Sequence, residues 1–139
     1  MSAYPVLMHT ALDATDCRSL AEFYRQFLGL RYRPGDEIPA DGDDEDPDWL
    51  VLLDPAGHRV FAFQQVPTLA RPTWPAHDVP KQMHHDFRVP TIEDLRHQRQ
   101  RAEELGATLL YDRTDDDLEP LYVLADPAGH PFCILVGSE

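Results

Sequence analysis

The pentapeptide DPAGH stands at residues 54–58, followed by RVFAF (59–63), and again at residues 126–130, followed by PFCIL (131–135). In each copy a proline and then a glycine sit between two apolar runs, the composition of a reverse turn joining strands. The first copy lies between DWLVLLD (48–54) and HRVFAFQQV (58–66), and the second between LYVLAD (121–126) and HPFCILV (130–136). Each is read as the last hairpin of a half-chain.

Working outward from the turns, the halves repeat. VLMHTALDA (6–14) mixes β-formers in alternation and predicts a strand. TDCRSLAEFYRQFLGL (15–30) predicts a helix, because Leu20, Phe23, Tyr24, Phe27 and Leu28 recur on one face. Thr15 or Asp16 can cap its start, and Gly29 suits its end. A short strand at LRYRP (30–34) completes a β-α-β-β-β order. QVPTLARPTWPAHDVPKQ (65–82) holds four prolines and no periodicity, so it reads as a linker. The order then restarts: MHHDFRV (83–89) as a strand, TIEDLRHQRQRAEELG (91–106) as a helix capped by Thr91, and ATLLYDR (107–113) as a strand. The expected organisation is module one at 1–66, a linker at 67–82 and module two at 83–139. His9 matches His84, Gly29 matches Gly106, and Asp54 matches Asp126.

Composition narrows the function classes. A 139-residue chain with 42% hydrophobic residues is long enough for a packed core. The net charge of −13 argues against nucleic acid and anionic membrane as partners and permits a cationic ligand. Eight acids crowd into DEIPADGDDEDPD (36–48), which predicts a solvated loop dispensable for folding. No apolar run is long enough to cross a bilayer, and the first residues do not look like a signal peptide. Two cysteines, Cys17 and Cys133, predict free thiols in a cytoplasmic chain.

The doubled βαβββ order, EFYRQFLGL (22–30) and the paired DPAGH turns resemble the vicinal oxygen chelate superfamily. That group includes glyoxalase I, extradiol dioxygenases, and fosfomycin- and bleomycin-resistance proteins. The resemblance spans essentially the whole chain. It implies an α+β fold of two tandem βαβββ modules whose curled mixed sheets form a concave cleft. It also implies a homodimer and a divalent metal held by a His in the first strand of each module and a Glu in the last. Carried over residue by residue, the first-strand positions are His9 and His84. The last-strand position, seven residues after the turn aspartate, is Phe61 in module one and Cys133 in module two. Both carboxylates are therefore missing.

Two imidazoles alone hold a hard ion poorly. The expectation is a protein of the glyoxalase/bleomycin-resistance kind without the usual metal, binding a small molecule that is partly aromatic or cationic. The ligand-binding face would comprise His9, Phe61, Phe63, His84, Asp86 and Cys133, with Trp74 of the linker near its mouth. The alternative is a lyase, isomerase or dioxygenase whose zinc, nickel or iron is held by His9, His84 and Cys133. Asp86 shares a strand face with His84 and is a further candidate ligand. His84 and Asp86 are also the candidate catalytic acid and base. Whether the protein is an enzyme stays open on the sequence.

Overall fold

The structure, a computed structural model, describes residues 3–137. The chain divides between Leu69 and Ala70 into two compact units. Unit 1 runs β1 (Thr10–Ala14), α1 (Cys17–Leu28), β2 (Arg31–Tyr32), β3 (Trp49–Leu53) and β4 (Arg59–Gln65). Unit 2 runs β5 (His85–Val89), α2 (Ile92–Glu104), β6 (Thr108–Arg113), β7 (Leu121–Ala125) and β8 (Pro131–Val136). The sheets are ordered β1-β4-β3-β2 and β5-β8-β7-β6. In each, the first strand pairs parallel to the last and the other pairings are antiparallel. The fold is thus α+β, built from two tandem βαβββ units. Among the described residues no helix is long and apolar enough to cross a membrane.

The DPAGH turns are built alike. In the second, Asp126 donates its backbone N–H to the His130 carbonyl, while its carboxylate accepts from the backbones of Ala128 and His130. Asp54 makes the corresponding bonds to His58. The glycines of both turns have positive φ, 90° at Gly57 and 101° at Gly129, which a side chain disfavours. The pentapeptide repeats because one side-chain oxygen, one proline and one left-handed residue close the same hairpin twice.

Helix α1 begins at Asp16, whose side chain accepts from the Ser19 N–H, and ends at Gly29 in the left-handed conformation. Leu20, Phe23, Tyr24 and Phe27 are buried against the sheet. Full burial of each such side chain contributes about 1.5–3 kcal/mol. On the sheet, Leu50, Leu52, Phe61 and Phe63 meet this helix: the Tyr24 ring centroid lies 5.1 Å from Phe61 and 6.0 Å from Phe63. Val51, Leu53 and Ala62 form a second small cluster.

The acidic segment is exposed along most of its length, as a solvated loop should be, but it is not free of the fold. Arg18 of α1 donates to both carboxylate oxygens of Asp44, at 2.7 and 3.0 Å, and to the Asp36 carbonyl at 2.7 Å. Asp36 in turn accepts from the Val51 backbone of β3 and from Arg33. The Cys17 thiol reaches the Pro47 carbonyl. Positive charge from α1 ties the loop down, and part of the local acidity is spent on those bonds.

Candidate functional site

Register decides which side chains share a face. In unit 2 the parallel pairing sets His85 beside Phe132 and Asp86 beside Cys133. Phe132 and Ile134 are buried, and the Phe132 ring meets Phe87. Tyr122, paired with Ile134, lies under the Arg99 guanidinium of α2, so this side of the sheet is the helix side. Alternation then puts Asp86 and Cys133 on the other side, together with His84 just before β5.

These three converge. His84 Nε2 lies 3.3 Å from Asp86 Oδ1, and one ligand atom from each of His84, Asp86 and Cys133 can be chosen with all three within 4.8 Å of one another. His84 and Asp86 are exposed and Cys133 is half-buried. Burial first, and then the neighbouring Asp86 charge and its hydrogen bond, push the Cys133 thiol up to about 11. Lys81 opposes that shift and Glu119 adds to it. The Lys81 ammonium sits 4.7 Å from the centroid of the Trp74 ring, which is half-buried. The Lys81 charge thus lies against the Trp74 ring and is also felt at Cys133.

Unit 1 carries the counterpart positions but not the chemistry. Its parallel pairing sets Thr10 beside Phe61 and Ala11 beside Ala62. Against the second unit, Ala11 therefore corresponds to Asp86 and Ala62 to Cys133. The expectation that Phe61 holds the Cys133 position is one residue out of register. A bulge explains it: Leu52 pairs with Phe61 but Leu53 pairs with Arg59, leaving Val60 as an extra residue in β4. The extra residue turns Phe61 and Phe63 to the helix side, where they are buried at 4% and 0% exposure. His9 stays on the opposite side, its ring centroid 5.9 Å from that of Trp49. Its Nδ1 is buried without a hydrogen-bond partner, and burial, with Arg59 and Arg33, lowers its pKa.

Of the residues expected at the site, the structure thus brings together His84, Asp86 and Cys133. Phe61 and Phe63 belong to the core of unit 1, whereas His9 lies on the other face of that unit's sheet, half-buried beside Trp49. Sequence reasoning missed Lys81, Trp49 and Ala62. Lys81 carried a weak signal, three residues before His84 at the end of the proline-rich stretch. An open cavity of about 320 Å³ on unit 1, lined by Glu22, Arg25, Leu30, Arg31, Tyr32 and Ile38, contains none of the expected residues.

A divalent ion fits the donor set of unit 2. Nitrogen, oxygen and sulfur donors are all zinc ligands, and two ligands about 2.1 Å from a tetrahedral ion stand about 3.4 Å apart, near the His84–Asp86 separation. Three protein donors leave a coordination position for a small molecule.

Comparison with known proteins agrees with this architecture. Residues 9–135 match the family model described as a glyoxalase-like domain. No curated protein matches the sequence. Among solved structures, the chain is similar to a glyoxalase/bleomycin resistance protein/dioxygenase family enzyme from Burkholderia phytofirmans PsJN. There the identity is 18% and the TM-score 0.63, with 93% of this chain and 96% of that one covered. It is similar to a glyoxalase/dioxygenase from Nostoc punctiforme at 21% identity and a TM-score of 0.61, with 99% and 100% covered. It is also similar to the fosfomycin resistance protein FosX from Listeria monocytogenes, complexed with manganese(II) and sulfate. That match has 16% identity and a TM-score of 0.64, with 99% and 95% covered.

Proposed function

This chain belongs to the family of glyoxalase-like domains, and from that premise we propose that it handles a small, partly aromatic molecule at a divalent ion held by His84, Asp86 and Cys133. The observation that carries the reading is the convergence of three unlike donors within 4.8 Å on one sheet face. The sequence alone favoured a metal-free binder because both last-strand carboxylates are absent. Asp86 changes that balance: it supplies a carboxylate from the strand next to Cys133, in direct register with it.

An ion bound there supplies Lewis acidity toward an oxygen of the ligand. The chain's own residues do the rest. Lys81, against the Trp74 ring and near enough for its charge to act on Cys133, offers a cation to an anionic group of the ligand. Trp74 offers a flat apolar face to an aromatic part. The half-burial of Cys133 lowers the local dielectric on one side, while exposed His84 and Asp86 leave the approach open.

Calorimetric titration of the purified chain with zinc tests the reading. One ion per chain is expected, with affinity falling at least about tenfold, or about 1.4 kcal/mol, in Cys133→Ala and in Asp86→Ala. Wild-type protein that takes up no zinc, or variants that bind it as tightly, would defeat the metal reading. A second reading would then take its place, and the 3.3 Å His84–Asp86 pair favours it: a metal-free site in which the two exchange a proton with the ligand. A pH profile of turnover that Asp86→Asn leaves unchanged would in turn exclude that one.

The protein is further proposed to be a homodimer. Tyr4, Val6, Leu7 and Met8 form an apolar arm 63–84% exposed in the single chain, and a second copy would cover it. Sedimentation at micromolar concentration giving the monomer mass of 15.9 kDa would refute this.

A further inference from the structure

We propose that the Cys133 sulfur makes this site select thiophilic ions, zinc above all, over manganese and magnesium. The inference rests on the metal-holding reading above and goes beyond it, because it concerns which ion the site takes. It follows from donor identity and placement. In unit 2 the donors are one imidazole, one carboxylate and one thiol, all from β5, its leading residue and β8. The counterpart positions of unit 1 are His9, Ala11 and Ala62, so the carboxylate and sulfur donors have no equivalents there.

Manganese and magnesium favour octahedral oxygen-rich coordination, and thiolate is a poor ligand for them. A site with one carboxylate and three protein donors in all leaves such an ion mostly hydrated. Zinc gains a strong bond to sulfur and is satisfied by four ligands. Binding breaks the Cys133 S–H bond and forms an S–Zn bond, and the proton passes to the buffer. No oxidant or reductant takes part. Asp86, the register partner of Cys133, carries a carboxylate placed to become the neighbouring ligand.

The test uses the full chain with zinc, cobalt(II) and manganese(II) salts. Cobalt reports on geometry and on sulfur, through intense visible bands in a tetrahedral site and a near-ultraviolet thiolate-to-cobalt charge-transfer band. Zinc affinity comes from competition with a chromophoric chelator, and manganese affinity from the paramagnetic resonance signal of the free ion. Zinc is expected to bind more tightly than manganese by at least about a hundredfold. Cys133→Ser should abolish the charge-transfer band, and Cys133→Asp should shrink the zinc preference at least tenfold, both with unchanged circular dichroism. Asp86→Asn should weaken both ions while keeping the band, which separates loss of a ligand from loss of the fold. If manganese binds as tightly as zinc and Asp86→Asn weakens both, the metal site stands and the selectivity is refuted. If zinc binds but cobalt shows no sulfur band, the ion is held without Cys133 and the inference falls. If no ion binds, the reading on which it rests has failed.

Discussion

Replacing Asp86 by Asn should change the chemistry of a thiol 47 positions later in the chain. Asp86 and Cys133 are register partners across β5 and β8, and the Asp86 charge acts on the thiol. Burial first, and then the Asp86 charge, push the thiol up to about 11. At pH 8 about one thiol in a thousand would then be ionised, against about a quarter for a free cysteine with a pKa near 8.5, a deficit of roughly 200-fold. Alkylation of the metal-free protein by iodoacetamide, followed by peptide mass spectrometry at Cys133, reads that fraction. In the wild type the rate should climb about tenfold per pH unit from pH 8 to 10 without a plateau, since only the thiolate attacks. Asn removes the negative charge but not the burial, so part of the shift should remain. The rate at pH 8 should rise several-fold and its midpoint should move down. A wild-type midpoint near 8.5, or an unchanged profile in Asp86→Asn, would refute the coupling and with it the placement of Asp86 beside the sulfur. Cys17 serves as an internal reference, because it is fully buried and should react only as the protein opens.

Arg18→Ala removes the two hydrogen bonds to the Asp44 carboxylate, the one to the Asp36 carbonyl and a guanidinium 4.9 Å from the Tyr32 ring centroid. Charge-assisted hydrogen bonds at this partial burial support a loss of about 2–3 kcal/mol, or roughly 6–12 °C in Tm for a chain of this size. A shift under about 2 °C by the same scaling would mean the loop is free after all. The same pair sets a pH dependence. Arg18 depresses the Asp44 pKa, so its contribution is present above the ordinary carboxylate range and lost as pH falls toward the depressed value. Arg18→Ala should therefore flatten acid unfolding, and an unchanged acid limb would contradict it. Phe61→Glu should lower stability steeply without raising zinc affinity, because it puts a charge against Tyr24 and Phe63. A stable Phe61→Glu protein with new metal binding would overturn the register assigned to β4. Gly129→Ala should cost about 1–2 kcal/mol for its left-handed backbone. The added methyl also meets the Arg71 side chain at 2.8 Å, but that chain is exposed and can move, so Gly57→Ala should cost nearly as much in a thermal melt.

The two-module plan could be read along the chain. Helix faces, caps and hairpin turns are local features with periods of 3.6 and 2, and each was written twice. Asp16, Gly29, Thr91 and the DPAGH turns act where their chemistry predicts. The pairing of His84 with Asp86 was legible too, because alternate residues near a strand share a face. The remainder came from long-range pairing and packing. Val60 is an ordinary strand residue by composition, yet as the extra residue of a bulge it turns Phe61 from an expected ligand position into the core. A slip of one residue reverses every side chain beyond it, and no local pattern records it. The union of Asp86 with Cys133 depends on a parallel pairing between strands far apart in sequence, as does the tethering of Asp44 by Arg18. Such contacts are chosen by how whole elements pack, so the donors could be nominated from the chain but assembled only by the fold.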